Sequence, residues 1–393
     1  MQMKLFNMLR GRTEQRDADP SWSALANGGT SSTAGAYVDA KSAESILTVF
    51  ACVQALSEST SCLPLHVYQR TDTGDRVRVD GHWLSRLLDR PNDWQSGVEF
   101  RESQTAAMLL HGNAYARKEF NGAGEVIALH PWHPQRVAIV RLGAGRYRYD
   151  YTNDDGQMVR LLQDEVLHLR DRTEPGSIVG KSRIAIARET LGLSLSLRAH
   201  GAGVFGRGAR PASVITNEGT QNLSTEQMNA MHERLEQYAS PANAGKTLIM
   251  PRGLKYQSAG MSNEDAEWLQ AMQFGVTEVC RLFRIPPTLV AELTHATFGN
   301  VTELGLQFAR FSLQRWLTCW EEAVTHQLLG PIARGRYYAE HSLEGLLRAQ
   351  PKERADFYAS GITAGWLDVA EVRRLENLPQ REVDAQSLAA VDV

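Results

Sequence analysis

Residues 165–205 read EVLHLRDRTEPGSIVGKSRIAIARETLGLSLSLRAHGAGVF: a strand, a glycine-bearing turn and a long helix in succession. Glu165–Leu169 alternates as a strand does. Ser182–Phe205 places Ile184, Ala187, Leu191, Ser194 and Leu195 near one helical face, then loosens at Gly201, Gly203, Gly206 and Gly208. Between them, Gly176-Ser177-Ile178-Val179-Gly180-Lys181-Ser182 comes close to a nucleotide-binding loop. Such a loop needs G-x-x-x-x-G-K-S/T, because its backbone N–H groups must wrap the phosphates before the lysine reaches them. Here Pro175 stands five places before Gly180, the first glycine comes one residue late, and proline has no N–H to donate. No apolar run ending in Asp-Glu follows to hold magnesium. The turn is expected to start a helix with Ser182 near its N-cap. No enzymatic activity is expected, and no catalytic, cofactor or metal-binding residue is assigned.

Upstream, residues 1–41 read as a flexible arm, with the stretch 11–35 rich in Asp, Ser, Thr and Gly. Order is expected from Ser42, where Ile46, Phe50, Val53 and Leu56 share a helical face. Leu63–Tyr68 alternates as a strand, and a helix follows at Val98–Leu110. Tyr115–Phe120 and Val126–Leu129 flank Asn121-Gly122-Ala123-Gly124, a hairpin signal. Arg136–Leu142, Gly145–Tyr151 and Met158–Leu162 continue as short strands, so the first 170 residues form an α+β region.

Downstream, helix replaces strand. A compact insert consists of strand Ala212–Ile215, helix Ser224–Tyr238 opened by a Ser224/Gln227 capping box, and strand Lys246–Met250. Helix Glu264–Arg284 carries Leu269, Met272, Val276, Val279 and Phe283 near heptad spacing and stops at Pro286-Pro287. After Leu293–Asn300 a long helix runs from Val301 to Leu329. Its apolar residues Leu304, Phe308, Phe311, Trp316, Trp320 and Leu328 spread widely enough to predict packing on several sides. Shorter helices fill Ser342–Leu378, and the tail is polar.

With 42 basic and 45 acidic residues among 393, the net charge of −3 argues against a generically basic nucleic-acid coat. Cys52, Cys62, Cys280 and Cys319 form no C-x-x-C pair, so reduced thiols are expected. Residues 1–12 do not read as a signal peptide, and no stretch is apolar enough for a membrane span. His111, His130, His133 and His168 lack an acidic partner at a diagnostic offset. Asp154-Asp155 and Glu321-Glu322 read as turn and helix-surface residues. Lys181, Arg183, Arg188, Arg198, Arg207 and Arg210 face only Glu189, whereas acids predominate from 263 to 330. Two readings stand: helix faces that pair with each other or with neighbouring subunits, or a surface along which a polyanion moves without sticking.

Several short segments, in order, carry a family likeness. They are Val49-Phe50-Ala51-Cys52-Val53, Leu63-Pro64-Leu65, Leu87-Leu88 through Pro91-Asn92, Gly112-Asn113-Ala114-Tyr115 and Glu165–Arg170. Gly180-Lys181-Ser182, Gly208-Ala209-Arg210-Pro211, Leu223–Gln227, Arg281–Pro287 and Thr297–Asn300 complete the series. From about residue 42 to 380 the chain resembles the portal proteins (head–tail connectors) of long-tailed double-stranded DNA bacteriophages. Departures are His82-Trp83-Leu84 for a usual His-Pro-Leu, Arg207 for a common Asn, Ala291 for a frequent Gly, and Phe298-Gly299-Asn300 for Tyr-x-Asn.

The resemblance implies an α+β portal-type fold. Its parts would be an N-terminal arm (1–41), a mixed wing (42–181), a first stem helix (182–208), a small α/β clip (209–262) and a second stem helix (263–290). A tunnel loop (291–300), the long wing helix (301–339), a helical crown (340–380) and a tail (381–393) would follow. It further implies a homo-oligomeric ring, usually dodecameric, assembled in the bacterial host cytoplasm and placed at one capsid vertex of the virion. Its partners would be the terminase large subunit, the major capsid and scaffolding proteins, the head–tail adaptor, and double-stranded DNA passing without sequence readout. No cofactor and no membrane are implied. Thr294, His295, Ala296, Thr297, Phe298, Gly299 and Asn300 would line the tunnel, and Glu233 and Glu236 would meet the terminase. The competing classes are a nucleotide-binding enzyme built on 176–182 and another tail or baseplate structural protein.

Overall fold

The computed structural model describes residues 30–206, 213–217, 224–238, 254–258, 263–290, 305–343, 351–376 and 378–379. The chain falls into two units, residues 1–341 and 342–393. The first opens with strands β1 (Thr30–Ser31) and β2 (Tyr37–Val38) and helices α1 (Ala40–Glu44) and α2 (Leu47–Cys62). Strands β3 (Leu65–Arg70) and β4 (Arg76–Arg78) lead to helices α3 (Trp83–Asp89) and α4 (Gly97–His111). Six strands follow: β5 (Asn113–Phe120), β6 (Val126–Trp132), β7 (Val137–Arg141), β8 (Tyr147–Thr152), β9 (Met158–Leu162) and β10 (Val166–Arg170). Then come α5 (Arg183–Ile186), α6 (Arg188–Gly206), β11 (Ser213–Asn217), α7 (Thr225–Tyr238), β12 (Leu254–Ser258) and α8 (Asn263–Phe283). A π-helical turn (Phe308–Leu313), α9 (Gln314–Leu328) and β13 (Tyr337–His341) close the unit.

All pairing between these strands is antiparallel, in the orders β10–β5–β6, β7–β8–β9 and β13–β3–β4, with β1–β2 and β11–β12 as two-stranded ribbons. The main core lies where α2, α4 and α9 meet the β5 sheet. Val49, Cys52, Val53 and Leu56 of α2 join Phe100, Met108 and Leu109 of α4, Ala114, Ala116, Leu167 and Leu169 of the sheet, and Trp316, Trp320 and Val324 of α9. Helix α4 is locally specified at both ends. Ser96 and Glu99 exchange a capping box, and Gly112 takes φ 77° as its left-handed C-cap. A smaller core joins the two middle sheets through Tyr115, Trp132, Tyr149 and Val166.

Several expectations need correction. Residues 30–41 are not an arm: β1 and β2 form a hairpin on α6, and Asp39 caps α1. Thr33 donates its backbone N–H to Glu189 at 2.9 Å, and Gly192 lets the hairpin approach, since a Cβ there would lie 2.1 Å from the Ser32 hydroxyl. Phe50 leaves the expected apolar face and is exposed; Val49 and Cys52 take its place. The helix read from 182 to 205 breaks at Ala187. Strand β11 pairs with β12 at 254–258, whereas the expected strand 246–250 lies outside the described residues. The long helix packs on one broad face rather than several. Leu313, Trp316, Leu317, Trp320, Val324 and Leu328 are buried, while Phe311, shifted by the π turn, is exposed. The expected boundary at 339/340 falls inside β13, which pairs Ala339 with Val67.

In the second unit, α10 (Pro351–Thr363) and α11 (Val369–Leu375) form a short helical pair. The Trp366 ring packs over Gly361, where a Cβ would come within 3.0 Å, and meets Phe357 edge-on at 5.3 Å.

Candidate functional site

Helix α8 ends just before the expected tunnel loop, and its last turn can be accounted for group by group. Arg284 is the only non-glycine residue with positive φ among the described residues, at 59°. The Arg284 N–H donates to the Arg281 carbonyl at 3.2 Å, and the Ile285 N–H donates to the Cys280 carbonyl at 3.0 Å. That pair of bonds is a Schellman end, with arginine in the place glycine usually takes, and Cys280 and Ile285 are both buried beside it. Pro286 and Pro287 follow the end rather than making it. They prevent the helix from resuming, and a 3₁₀ turn runs from Pro287 to Val290.

Two carbonyls of this end are held by distant side chains. The Leu282 carbonyl accepts from Arg183 Nη1 at 2.7 Å, and the Arg284 carbonyl accepts from the Ser312 hydroxyl in the π turn. Arg183 also grips Asp171 through Nε at 2.7 Å and Nη2 at 3.4 Å, and its guanidinium lies 5.0 Å from the Trp316 ring centroid. Asp171 is in turn held by the sheet, its N–H donating to the Gly112 carbonyl at 2.9 Å. Between α8 and the π turn opens a cleft of about 340 Å³, lined by Cys280, Arg284, Ile285, Pro287, Phe311 and Ser312.

The nucleotide-loop resemblance dissolves in the hydrogen bonding. The Ser177 N–H donates to the Glu174 carbonyl, the Val179 N–H to the Ser177 hydroxyl, the Gly180 N–H to Asn113 Oδ1 and the Lys181 N–H to the Arg172 carbonyl. Every one of those donors is already committed within the chain. The Lys181 ammonium pairs with Glu174. Ser182 Oγ accepts from the Ala185 N–H at 3.2 Å and donates to the Leu110 carbonyl at 2.8 Å, the N-cap expected of it. Gly180 is required because a Cβ would sit 2.0 Å from the Gly112 carbonyl. The turn is a joint between strand β10 and helix α5, pinned to the start of β5 through Asn113.

The histidines disperse. His168 is buried, accepting from the Tyr149 hydroxyl at 3.0 Å through Nδ1 and donating through Nε2 to Asn113 at 3.0 Å. His111 and His133 meet ring to ring at 5.5 Å, and His130 faces Glu119 at 2.8 Å. Burial depresses the pKa of His111 to about 4 and that of His168 well below the ordinary value. No group of three His, Cys, Asp or Glu residues fit to hold a metal occurs among the described residues. Glu321 is no bland surface acid: it accepts from the His341 backbone N–H at 2.9 Å and pairs with the buried His341 ring.

Of the six basic residues in 181–210, four bond within the chain. Lys181 pairs with Glu174 and Arg183 with Asp171; Arg188 reaches Glu189 and Thr30, and Arg198 reaches the Ser45 carbonyl. This favours the structural reading of that charge run; Arg207 and Arg210 lie outside the described residues. So do Thr294, His295, Ala296, Thr297, Phe298, Gly299 and Asn300. Glu233 is exposed on α7, and Glu236 lies three residues further along the same helix. Arg183, Asp171 and Ser312 escaped the sequence reading because their partners are remote in sequence; only the Arg183 charge was visible.

The profile of the family described as Phage portal protein matches residues 47–377. The portal protein of Enterobacteria phage HK97 is 31% identical over 339 residues, covering 85% of this chain and 79% of its own length. The probable portal protein of Streptomyces phage phiC31 is 28% identical over 379 residues, 93% of this chain and 81% of its own. Among solved structures, a chain in the neck of an empty gene transfer agent particle, computed with sixfold symmetry, is 25% identical and superposes with a TM-score of 0.63 over 84% of this chain and 90% of that one. With helices, antiparallel sheets and a helix–insert–helix order running through the matched region, the chain belongs to the phage portal protein family.

Proposed function

We propose that the chain assembles into a ring of twelve copies at one capsid vertex and forms the channel through which double-stranded DNA is packaged and ejected. The observation that carries this is the portal-family match across 47–377, supported by the sixfold symmetry of the particle neck whose chain this one resembles. Twelve copies are compatible with that symmetry. In this reading residues 42–181 with 301–341 form the wing, to which the hairpin at 30–38 is added. Helices α5 and α6 together with α8 are the stem, 209–262 the clip and 342–380 the crown. Residues 294–300 line the tightest part of the channel, where the contact with DNA is steric and to the backbone, without base readout. A ring of net acidic chains limits the counterion-releasing grip that would stall a sliding polyanion.

The clip docks the terminase large subunit, which carries out ATP hydrolysis; the wing meets the major capsid and scaffolding proteins, and the head–tail adaptor joins after packaging. Assembly takes place in the host cytoplasm, and the mature ring resides in the virion. Negative-stain imaging of the purified chain should show rings with a central channel. Replacing 294–298 with Gly-Ser should leave rings and tail joining intact while lowering packaged DNA or its retention. Monomers at all concentrations would remove the ring, and wild-type packaging and retention in the loop variant would remove the tunnel role.

A further inference from the structure

Three elements remote in sequence meet at one guanidinium. Arg183, the first residue of α5, faces the Asp171 carboxylate at 2.7 and 3.4 Å, donates to the Leu282 carbonyl at 2.7 Å, and lies 5.0 Å from the Trp316 ring centroid. The pair is largely buried, with side-chain exposures of 17% for Arg183 and 6% for Asp171. A planar guanidinium with a fixed fork of donors can serve a carboxylate edge and a carbonyl at once; a lysine ammonium is a point charge that satisfies one geometry at a time. The Leu282 carbonyl is among the last four of α8, which have no partner within the helix. A cation there also complements the negative end of the helix dipole.

The Leu282 carbonyl lies in the last turn of α8, and the 3₁₀ turn Pro287–Val290 carries the chain from that end to residue 290. The Ser312–Arg284 hydrogen bond ties the π turn, on the other side of 291–304, to the same helix end. We infer that Arg183 is a positioning residue, locking the end of α8 to the sheet through Asp171 and so fixing where 291–304 leaves the fold. This inference rests on the proposed channel role of that segment.

Arg183→Ala would strand a buried carboxylate and endanger folding. The informative variants are therefore Arg183→Lys, which keeps the charge, and Asp171→Asn, which keeps the shape. Both should assemble into rings in wild-type yield. In assembled rings, both should be cleaved by protease within 291–304 about tenfold faster than wild type, the population change that loss of one charge-assisted hydrogen bond supports. Both should also lower DNA retention per filled head. The Gly-Ser replacement of 294–298 serves as the control. If it lowers retention while both point variants retain DNA like wild type, the positioning role is overturned and the channel role stands. If it leaves retention unchanged, the channel role falls, and cleavage within 291–304 decides the positioning role: wild-type rates in both point variants overturn it. Loss of rings in both variants also overturns it, since Arg183 would then be a general strut.

Discussion

Ser182 and Lys181 are neighbours with opposite expected sensitivities. Ser182 caps α5 and occupies the Leu110 carbonyl, and it is 3% exposed. Ser182→Ala removes a cap and leaves a buried acceptor unmet, so it should cost about 1–2 kcal/mol in urea unfolding. Lys181 pairs with Glu174 in partly exposed surroundings, and Lys181→Ala should cost less than about 0.5 kcal/mol. A phosphate loop would reverse the functional weight of the two, with nucleotide turnover lost in Lys181→Ala. Arg284 offers a test of the opposite sign. Its φ of 59° suits glycine, so Arg284→Gly should stabilise the chain by about 0.5–1 kcal/mol, whereas Arg284→Ala keeps the strain and should not. Equal effects of the two would show that the left-handed turn carries no penalty. Legibility at this scale follows sequence distance. The Ser224–Gln227 capping box was readable because its members lie three apart. Arg183 was not, because Leu282 lies 99 positions away.

Elements were legible where their pattern is local, and blurred where tertiary packing sets the register. The hairpin β5–β6 and helix α4 carry their own turn and cap residues, and both form as expected. Strand β13, Tyr337–His341, has no such punctuation; it is fixed by pairing with β3, whose sequence lies far upstream. The π turn at Phe308–Leu313 breaks the helical period, so Phe311 calls for no second buried face and lies exposed. A pH prediction belongs here, because His111 ends α4 and His168 sits in β10. Desolvation is the first cause of both depressed pKa values; His133 adds to it at His111, and Arg170 at His168. The unfolded chain titrates each near 6.5, so it takes up protons before the folded chain does. Stability is then full above about pH 6.5 and falls as the pH drops, by about 1.4 kcal/mol per pH unit for each histidine, the His111 share ending near its folded value of about 4. Urea midpoints at about pH 7 and about pH 5 measure the slope, and His111→Asn should remove one histidine's share. An unchanged slope in that variant would show that His111 titrates alike in both states.

At the scale of the whole molecule, ordered short motifs across most of the chain were enough to indicate the family, although none of them is specific alone. The ring itself leaves no within-chain pattern, because contacts between identical copies need satisfy only surface residues scattered along the sequence. The insert between α6 and α8 is where that blindness matters most. Its ribbon β11–β12 has only two strands, fewer than an isolated sheet needs for stability in water, so its support must come from packing with other surfaces. Helix α7 opens with the Ser224 cap and places Glu233 in solvent, with Glu236 three residues on and so on a neighbouring part of the helix surface. If 209–262 is the clip that meets the motor, acidic groups there tune an encounter with a basic partner surface. Reversing both, Glu233→Lys with Glu236→Lys, changes the charge by four units without touching the described core, so rings should persist with unchanged unfolding midpoints. Terminase binding should weaken about tenfold or more at low salt, with the loss shrinking as salt is raised, because exposed charges beyond a Debye length are screened. Surface-capture measurements of rings on immobilised terminase at two salt concentrations read this directly. Equal binding by wild type and the double variant at both salts would move the docking surface away from α7, and loss of rings would assign these glutamates to contacts between copies instead.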